Sequence, residues 1–168
     1  MEVTLIGNDL LRQKSLPVKE FNEELKDTCV QMLQIMHEKR GIGLAGPQVG
    51  LLKRLFVVHI ENDAPRVFIN PVIIGTSEET AVLEEGCLSI PGVWEDVKRP
   101  KKIMVQAQNE LGKVYRIETS GILARVILHE YDHLEGVLFV DRLSQEKKDK
   151  LLAKYEKLKS KSAAKKNG

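Results

Sequence analysis

The stretch Ile122-Leu123-Ala124-Arg125-Val126-Ile127-Leu128-His129-Glu130-Tyr131-Asp132-His133 constrains this chain more than any other. Its apolar residues recur at the spacing of one helical face, which places the HExxH pattern inside a helix. Four residues make a little over one turn, so His129 and His133 project from the same side and can grip one metal ion. Glu130, next in sequence, can then reach a water beside that ion. An amphipathic helix carrying two surface histidines is the plain alternative, and a third ligand separates the two.

In the longer pattern HExxHxxGxxH, Gly136 falls in place, but the third histidine would be Phe139, which cannot coordinate metal. A carboxylate from a following helix would have to be a residue such as Glu146 or Glu156, both set among lysines; that alternative stays open. The remaining soft ligand is Cys87, in Glu84-Glu85-Gly86-Cys87-Leu88-Ser89, where a strand end meets a glycine that lets the backbone approach a neighbour. A thiolate with two imidazoles leaves the fourth position of a tetrahedral site for water, the arrangement of a catalytic metal. The donor set by itself points first to zinc.

Around this motif the pattern is that of one α+β unit. From Lys19 to Lys39, Phe21, Leu25, Cys29, Met32, Leu33 and Met36 mark an N-terminal helix with Cys29 as a packed core thiol. Lys39 and Arg40 suit the negative end of its dipole, Gly41 supplies a stop, and His37 is expected as a solvated cap. Strands are expected at Leu55 to Ile60, Arg66 to Ile74, Ala81 to Glu84, Ile103 to Gln108 and Lys113 to Glu118, with Pro91, Gly92 and Pro100 among the punctuation between them. The HExxH helix starts after Thr119 or Ser120, whose side chains can cap it, and runs to about Glu135, where Gly136 ends it. A third helix runs from Ser144 into a lysine-rich tail. The expected architecture is antiparallel strands packed around a central HExxH-bearing helix, with an N-terminal helix and a basic C-terminal one. Residues 1–143 form the catalytic domain, and residues 144–168 belong to it or are appended.

At 168 residues the chain can bury a core without disulfides or a structural metal. Its two cysteines, Cys29 and Cys87, form no framework and are read as reduced thiols. No apolar run approaches the roughly 20 residues of a membrane span, and the N-terminus lacks the layout of a signal or transit peptide, so a cytosolic protein is expected. Few aromatic residues argue against a stacking surface for nucleic acid. Residues 142–168 carry a net charge of +7 and the remainder −5, an asymmetry that reads as a solvated helix or as a contact with a polyanion such as ribosomal RNA.

Gly41-Ile42-Gly43-Leu44-Ala45-Gly46 matches the dinucleotide-binding pattern GxGxxG, with Glu61 at a plausible distance downstream. It follows a helix instead of a strand, however, and Pro47 and Gly50 interrupt the helix it ought to open. A segment whose bare backbone lets an extended ligand lie against it, with Gln48 as an amide donor, is the better account.

Three segments, Gly41-Ile42-Gly43-Leu44-Ala45-Gly46-Pro47-Gln48, Glu85-Gly86-Cys87-Leu88-Ser89 and His129-Glu130-Tyr131-Asp132-His133-Leu134-Glu135-Gly136, closely resemble in order and spacing the three signature motifs of peptide deformylases. The resemblance covers roughly residues 5 to 142. It implies metal-assisted hydrolysis of the N-formyl group from formyl-methionyl nascent peptides, with Cys87, His129 and His133 as metal ligands and Glu130 as proton carrier. It also implies that the Gln48 amide and the Leu88 N–H hold the oxyanion and that Ile42, Gly43 and Gly86 line an extended substrate. Val126 would form a wall of the methionine pocket. The metal implied is Fe(II), with Zn(II), Ni(II) or Co(II) as substitutes. The partners expected are nascent peptides and, through the basic tail, the ribosome; neither a membrane nor a sequence-specific nucleic acid is expected, and the chain is expected to be a monomer. Two departures stand out. Gly46 replaces a usual Ala, which should alter loop stiffness, and Leu128 replaces a usual Gln, which would remove a polar group beside the metal.

Overall fold

Asn22 decides where the first helix begins, because its side-chain oxygen accepts the Leu25 N–H at 3.0 Å and so satisfies a donor the helix itself leaves free. Helix α1 therefore spans Glu23–Glu38, starting later than the apolar spacing suggests. The computed structural model describes residues 1–167, with side-chain surroundings through residue 165; Gly168, the end of the expected tail, lies outside the described residues. At the other end of α1 the left-handed residue is Arg40, with φ of 59°, not Gly41. The Gly41 N–H reaches Met36 O at 2.8 Å and the Arg40 N–H reaches His37 O at 3.0 Å, the paired closure of a Schellman end. Gly41 serves a different need, since a Cβ there would sit 2.8 Å from Leu88 Cδ1. His37 is exposed, as expected of a cap, but its Nε2 pairs with His59 Nδ1 at 2.8 Å.

Seven strands follow: β1 (Gly43–Ala45), β2 (Leu55–Val58), β3 (Arg66–Thr76), β4 (Thr80–Cys87), β5 (Ile90–Pro100), β6 (Lys102–Gln108) and β7 (Val114–Ser120). They form a five-stranded sheet in the order β1-β2-β3-β6-β7 and a two-stranded sheet β4-β5, with all pairings antiparallel. Helix α2 (Gly121–Leu134) and helix α3 (Gln145–Asn167) complete an α+β fold. In β2 the side chains alternate between two cores. Phe56 and Val58 pack with Phe68, Val105, Leu123, Ile127 and Leu128 under α2, while Leu55 and Val57 pack with Met32, Met36, Leu44 and Ile69 under α1. Each such fully buried apolar side chain contributes on the order of 1.5–3 kcal/mol of transfer free energy. Cys29 lies in the α1 core as expected, and burial pushes its thiol up to about 11.

Strand β5 is the element the sequence conceals. Pro91, Gly92 and Pro100 read as loop punctuation, yet the strand runs through them, with Gly92 at φ of 85°. Its inward residues Val93, Val97 and Arg99 keep the two-residue period of a strand, but one of them is charged, which breaks the apolar signal. Proline is tolerated because β5 pairs on one side only. Ile90, Val93 and Val97 pack with Leu151 and Tyr155 of α3, so the basic helix carries an apolar face into a third core.

Helix α2 has Ser120 at its N-cap, but the Ser120 side chain makes no capping hydrogen bond, contrary to expectation. Its C-terminal end follows the sequence reading: Gly136 has φ of 74°, its N–H reaches His133 O at 3.2 Å, and the Val137 N–H reaches Asp132 O at 2.9 Å. A Cβ on Gly136 would lie 2.6 Å from Arg12 O, which is backbone and cannot swing aside. Gly136→Ala should therefore combine left-handed strain with a steric clash and lower unfolding stability by about 2–4 kcal/mol in urea denaturation. A loss of under about 0.5 kcal/mol would mean that the 12–16 segment relaxes freely.

Candidate metal centre

Helix α2 turns His129 and His133 to the same side, and the end of β4 brings Cys87 against them. Cys87 Sγ lies 3.3 Å from His133 Nε2, and the ligand atoms of Cys87, His129 and His133 all lie within 4.8 Å of one another. Two ligands at metal–sulfur and metal–nitrogen lengths of about 2.3 and 2.1 Å, held at a tetrahedral angle, would be about 3.6 Å apart. The Cys87–His133 pair is close to that separation, and the three ligand atoms lie near enough together to share one divalent ion with small side-chain adjustments. Burial, together with the charges of His129, Arg99 and Arg12, holds the His133 pKa well below the usual value, whereas at His129 burial is outweighed by Cys87, Glu85 and Glu130, which hold its pKa well above that value, so an ion bound here would displace a proton from His129. The carboxylates weighed as alternatives lie elsewhere. Glu146 is exposed and pairs with Lys150 at 3.3 Å, and Glu156 is exposed on α3.

The orientation of His129 depends on Glu85, a residue to which the sequence reading gave no role. Glu85 Oε1 lies 2.8 Å from His129 Nδ1, which fixes the ring and leaves Nε2 for the ion. Burial would raise the Glu85 pKa, but hydrogen bonds from His129 and Arg99 overcome it and hold the carboxyl well below the usual carboxylate range. Arg99 grips both Glu85 oxygens, at 2.6 and 2.9 Å, and reaches Asp132 at 2.9 Å. Arg125 adds a 2.8 Å bond to Glu85 and further bonds to the carbonyls of Val97 and Ala81. Arg142 closes the network on Asp132 at 2.8 Å. One signal was available in the sequence: Glu85 occupies the same strand parity as Leu83 and Cys87, an inward place where a lone carboxylate requires a partner.

Glu130 is 3% exposed, and its Oε2 has no hydrogen-bond partner among the described residues. Burial pushes its pKa up to about 7. Gly43 is what allows the carboxylate its place: a Cβ there would lie 2.7 Å from Glu130 Oε1 and 2.8 Å from Val126 Cγ1. Gln48, 1% exposed, is held by the Ala45 N–H on its Oε1 at 2.9 Å, and its Nε2 donates to Ser89 Oγ at 3.1 Å and points to Cys87 Sγ at 3.4 Å. A cavity of about 610 Å³ opens over these groups and is lined by all the expected site residues except His133, namely Ile42, Gly43, Gln48, Gly86, Cys87, Leu88, Val126, His129 and Glu130. His133 lies behind them with no exposed surface.

Both departures have a structural answer. Leu128 belongs to the apolar cluster under α2 and does not line the cavity, so its side chain packs in the core instead of facing the site. At Gly46 the effect is close packing more than stiffness, since a Cβ would lie 2.7 Å from Lys53 O and 2.8 Å from Leu51 O.

Known proteins share this fold and sequence pattern. The sequence profile of the family Polypeptide deformylase matches residues 1–149. The chain is 46% identical to the peptide deformylase of Treponema pallidum (strain Nichols) over 155 residues, covering 92% of this chain and 95% of that one. It is 47% identical to the peptide deformylase of Borreliella burgdorferi over 156 residues, covering 92% and 94%. Among solved structures, a peptide deformylase from Legionella pneumophila superposes with a TM-score of 0.91 at 36% identity over 96% of both chains. One from Synechococcus elongatus in complex with actinonin gives a TM-score of 0.89 at 44% identity over 93% of this chain and 86% of that one.

The burial of Glu130 makes a test independent of catalysis. The unfolded chain releases this proton near the ordinary 4.5 and the folded metal-free chain near 7. Stability of the metal-free protein therefore falls as pH rises through that window and stays low above it. E130Q removes the penalty. In urea unfolding without metal, it should match the parent near about pH 4 and exceed it by up to about 3 kcal/mol near about pH 8. Equal stabilities at the higher pH would show that the carboxylate is solvated.

Proposed function

Because this chain belongs to the polypeptide deformylase family, metallohydrolases that remove the N-formyl group from newly made peptides, we propose that Cys87, His129, His133 and Glu130 are the reacting centre of its cavity. The observation that carries this reading is the convergence of one sulfur and two imidazoles beside a buried carboxylate with an unpartnered oxygen. A divalent ion on those three ligands supplies a Lewis acid that makes water nucleophilic at neutral pH and polarises the formyl carbonyl. Glu130 takes the proton of the attacking water and delivers it to the departing amine nitrogen. The Gln48 amide and the Leu88 N–H receive the negative charge developing on the carbonyl oxygen. The substrate backbone lies extended along Ile42 and Gly43 on one side and Gly86 on the other, and Val126 forms one wall for the methionine side chain. The native ion is Fe(II), with Zn(II), Ni(II) or Co(II) able to substitute; a thiolate with two imidazoles suits all of these borderline ions.

Residues 1–143 and the helix that follows act as one catalytic unit, a reading supported by the burial of Leu151 and Tyr155 against β5. Among the described residues no helix is long and apolar enough to cross a membrane. The protein works as a cytoplasmic monomer on nascent chains, and the exposed lysines of α3 hold it near ribosomal RNA.

Release of formate from formyl-Met-Ala-Ser, measured anaerobically with Fe(II), tests the reaction centre. The parent should turn the peptide over and lose activity in air as iron or Cys87 oxidises. Cys87→Ser should lose metal by elemental analysis, and Gln48→Ala should keep its metal but drop about 10²–10³-fold in kcat. Full metal content and turnover in the Cys87 variant would remove the thiolate from the site.

For the ribosome contact, Lys150, Lys157 and Lys161 changed to Gln should weaken co-sedimentation with ribosomes and flatten its salt dependence, while leaving Leu151 and Tyr155 in the core. Unchanged co-sedimentation would set the tail contact aside.

A further inference from the structure

Three independent features single out Arg40 at the outer end of the cavity. Its backbone is left-handed, with φ of 59°, at the helix-end position where glycine is the residue without strain. Its side chain and that of Lys39 line the cavity mouth, and both residues are exposed. Neither cation joins any ion pair formed among the described residues, so both charges remain available to a ligand. A strained backbone that keeps an unpaired cation at a binding cavity points to a ligand charge that the cation meets.

The lie of the chain says which part of the substrate that is. Gly43 abuts Glu130 at the reacting end, and the chain ahead of β1 leads outward from it through Ile42, whose carbonyl accepts the His59 N–H at 2.9 Å, to the left-handed turn at Arg40. An extended peptide advances about 3.4 Å per residue, so one whose first residue lies abreast of Gly43 carries its third toward the Lys39 and Arg40 end of the cavity, within reach of those long side chains. We propose that Arg40, with Lys39, forms a subsite that selects nascent chains with an acidic side chain at the third residue. The inference rests on the reaction centre proposed above. Glu84 of β4 also lines the cavity, exposed and unpaired, and opposes this preference in part. Trp94 stands beside it as an apolar wall, packed so closely on Gly86 that a Cβ there would lie 2.4 Å from the indole.

The test is the ratio of kcat/KM for formyl-Met-Ala-Asp-Ala to that for formyl-Met-Ala-Lys-Ala, a ratio in which general damage to a variant cancels. The parent should favour the acidic peptide by about threefold to tenfold at low salt, falling toward unity near about 0.5 M salt. Arg40→Gly should lower the ratio while raising Tm by roughly 2 °C through relief of the left-handed strain. Arg40→Glu should invert the ratio, and Glu84→Gln should increase it. Moving the charge to the last residue of the peptide should abolish the discrimination. A parent ratio near unity, or one unchanged by Arg40→Glu, overturns the subsite. Failure of the parent to release formate from any of these peptides overturns the reaction centre itself, and the two failures are distinct.

Discussion

The carboxylate of Glu85 is where the parts of this molecule are tied together. It stands on the two-stranded sheet, receives two bonds from Arg99 of the neighbouring strand, and reaches across to Arg125 and His129 of α2. Taking one carboxylate and two guanidiniums out of water costs several kcal/mol per ion, a cost offset only when nearly every donor and lone pair finds a partner. Here they do: the two Glu85 oxygens accept from three residues, and Arg125 uses its remaining donors on the carbonyls of Val97 and Ala81. Removing any one member leaves an unpaired buried charge, so the network is worth more as a fixed geometry than as a sum of attractions. That geometry sets the distance between the end of β4 and the HExxH face of α2, and with it the distance from Cys87 to the two histidines.

The apolar cores complement this tie. Helix α2 is buried almost all round, with Phe56, Phe68 and Val105 against one face and the charged network against the other. A helix so enclosed cannot rotate without pulling either apolar side chains or charges out of place, so the pitch of His129, Glu130 and His133 is held from both sides. The glycines of the first motif finish the arrangement by subtraction. Gly43 leaves room for the Glu130 carboxylate and Gly41 for Leu88, and a methyl group at either place would meet atoms closer than 3.0 Å.

What was legible in the sequence followed from local chemistry. Periodicity marked α1 and α2, HExxH on a helix marked the two imidazoles, and the failure of Phe139 to serve as a ligand directed attention to Cys87. What stayed hidden depends on long-range pairing. Strand β5 was concealed because its inward Arg99 breaks the apolar alternation, and Arg99 makes sense only once Glu85 and Asp132 stand beside it. Glu85 was quoted as part of a motif without a role, since nothing local says that a strand carboxylate will meet a helix histidine. Gly41 was read as the stop of α1, whereas Arg40 takes the left-handed turn and Gly41 makes space for Leu88 of the turn between β4 and β5. In each case the local rule was sound, and a contact distant in sequence overrode it.

The same contrast explains where the structure departs from its own rules of satisfaction. Among the described residues, only three fully buried side-chain polar atoms lack a partner, and two of them, Glu130 Oε2 and His133 Nδ1, belong to the candidate metal centre. A few ångströms away, the Glu85 network leaves none of its oxygens unpaired. A protein able to satisfy four buried charges at one end of α2 has the means to pair Glu130 as well. A carboxylate already engaged by an arginine, however, would be held ionised and could not exchange a proton near neutral pH. Burial instead moves Glu130 to about 7 against the opposing pull of His129, so that both protonation states are accessible. The fold therefore concentrates its arginine pairs behind His129, where they fix the ring, and leaves Glu130 with the His129 imidazole, 3.9 Å away, as its charged neighbour.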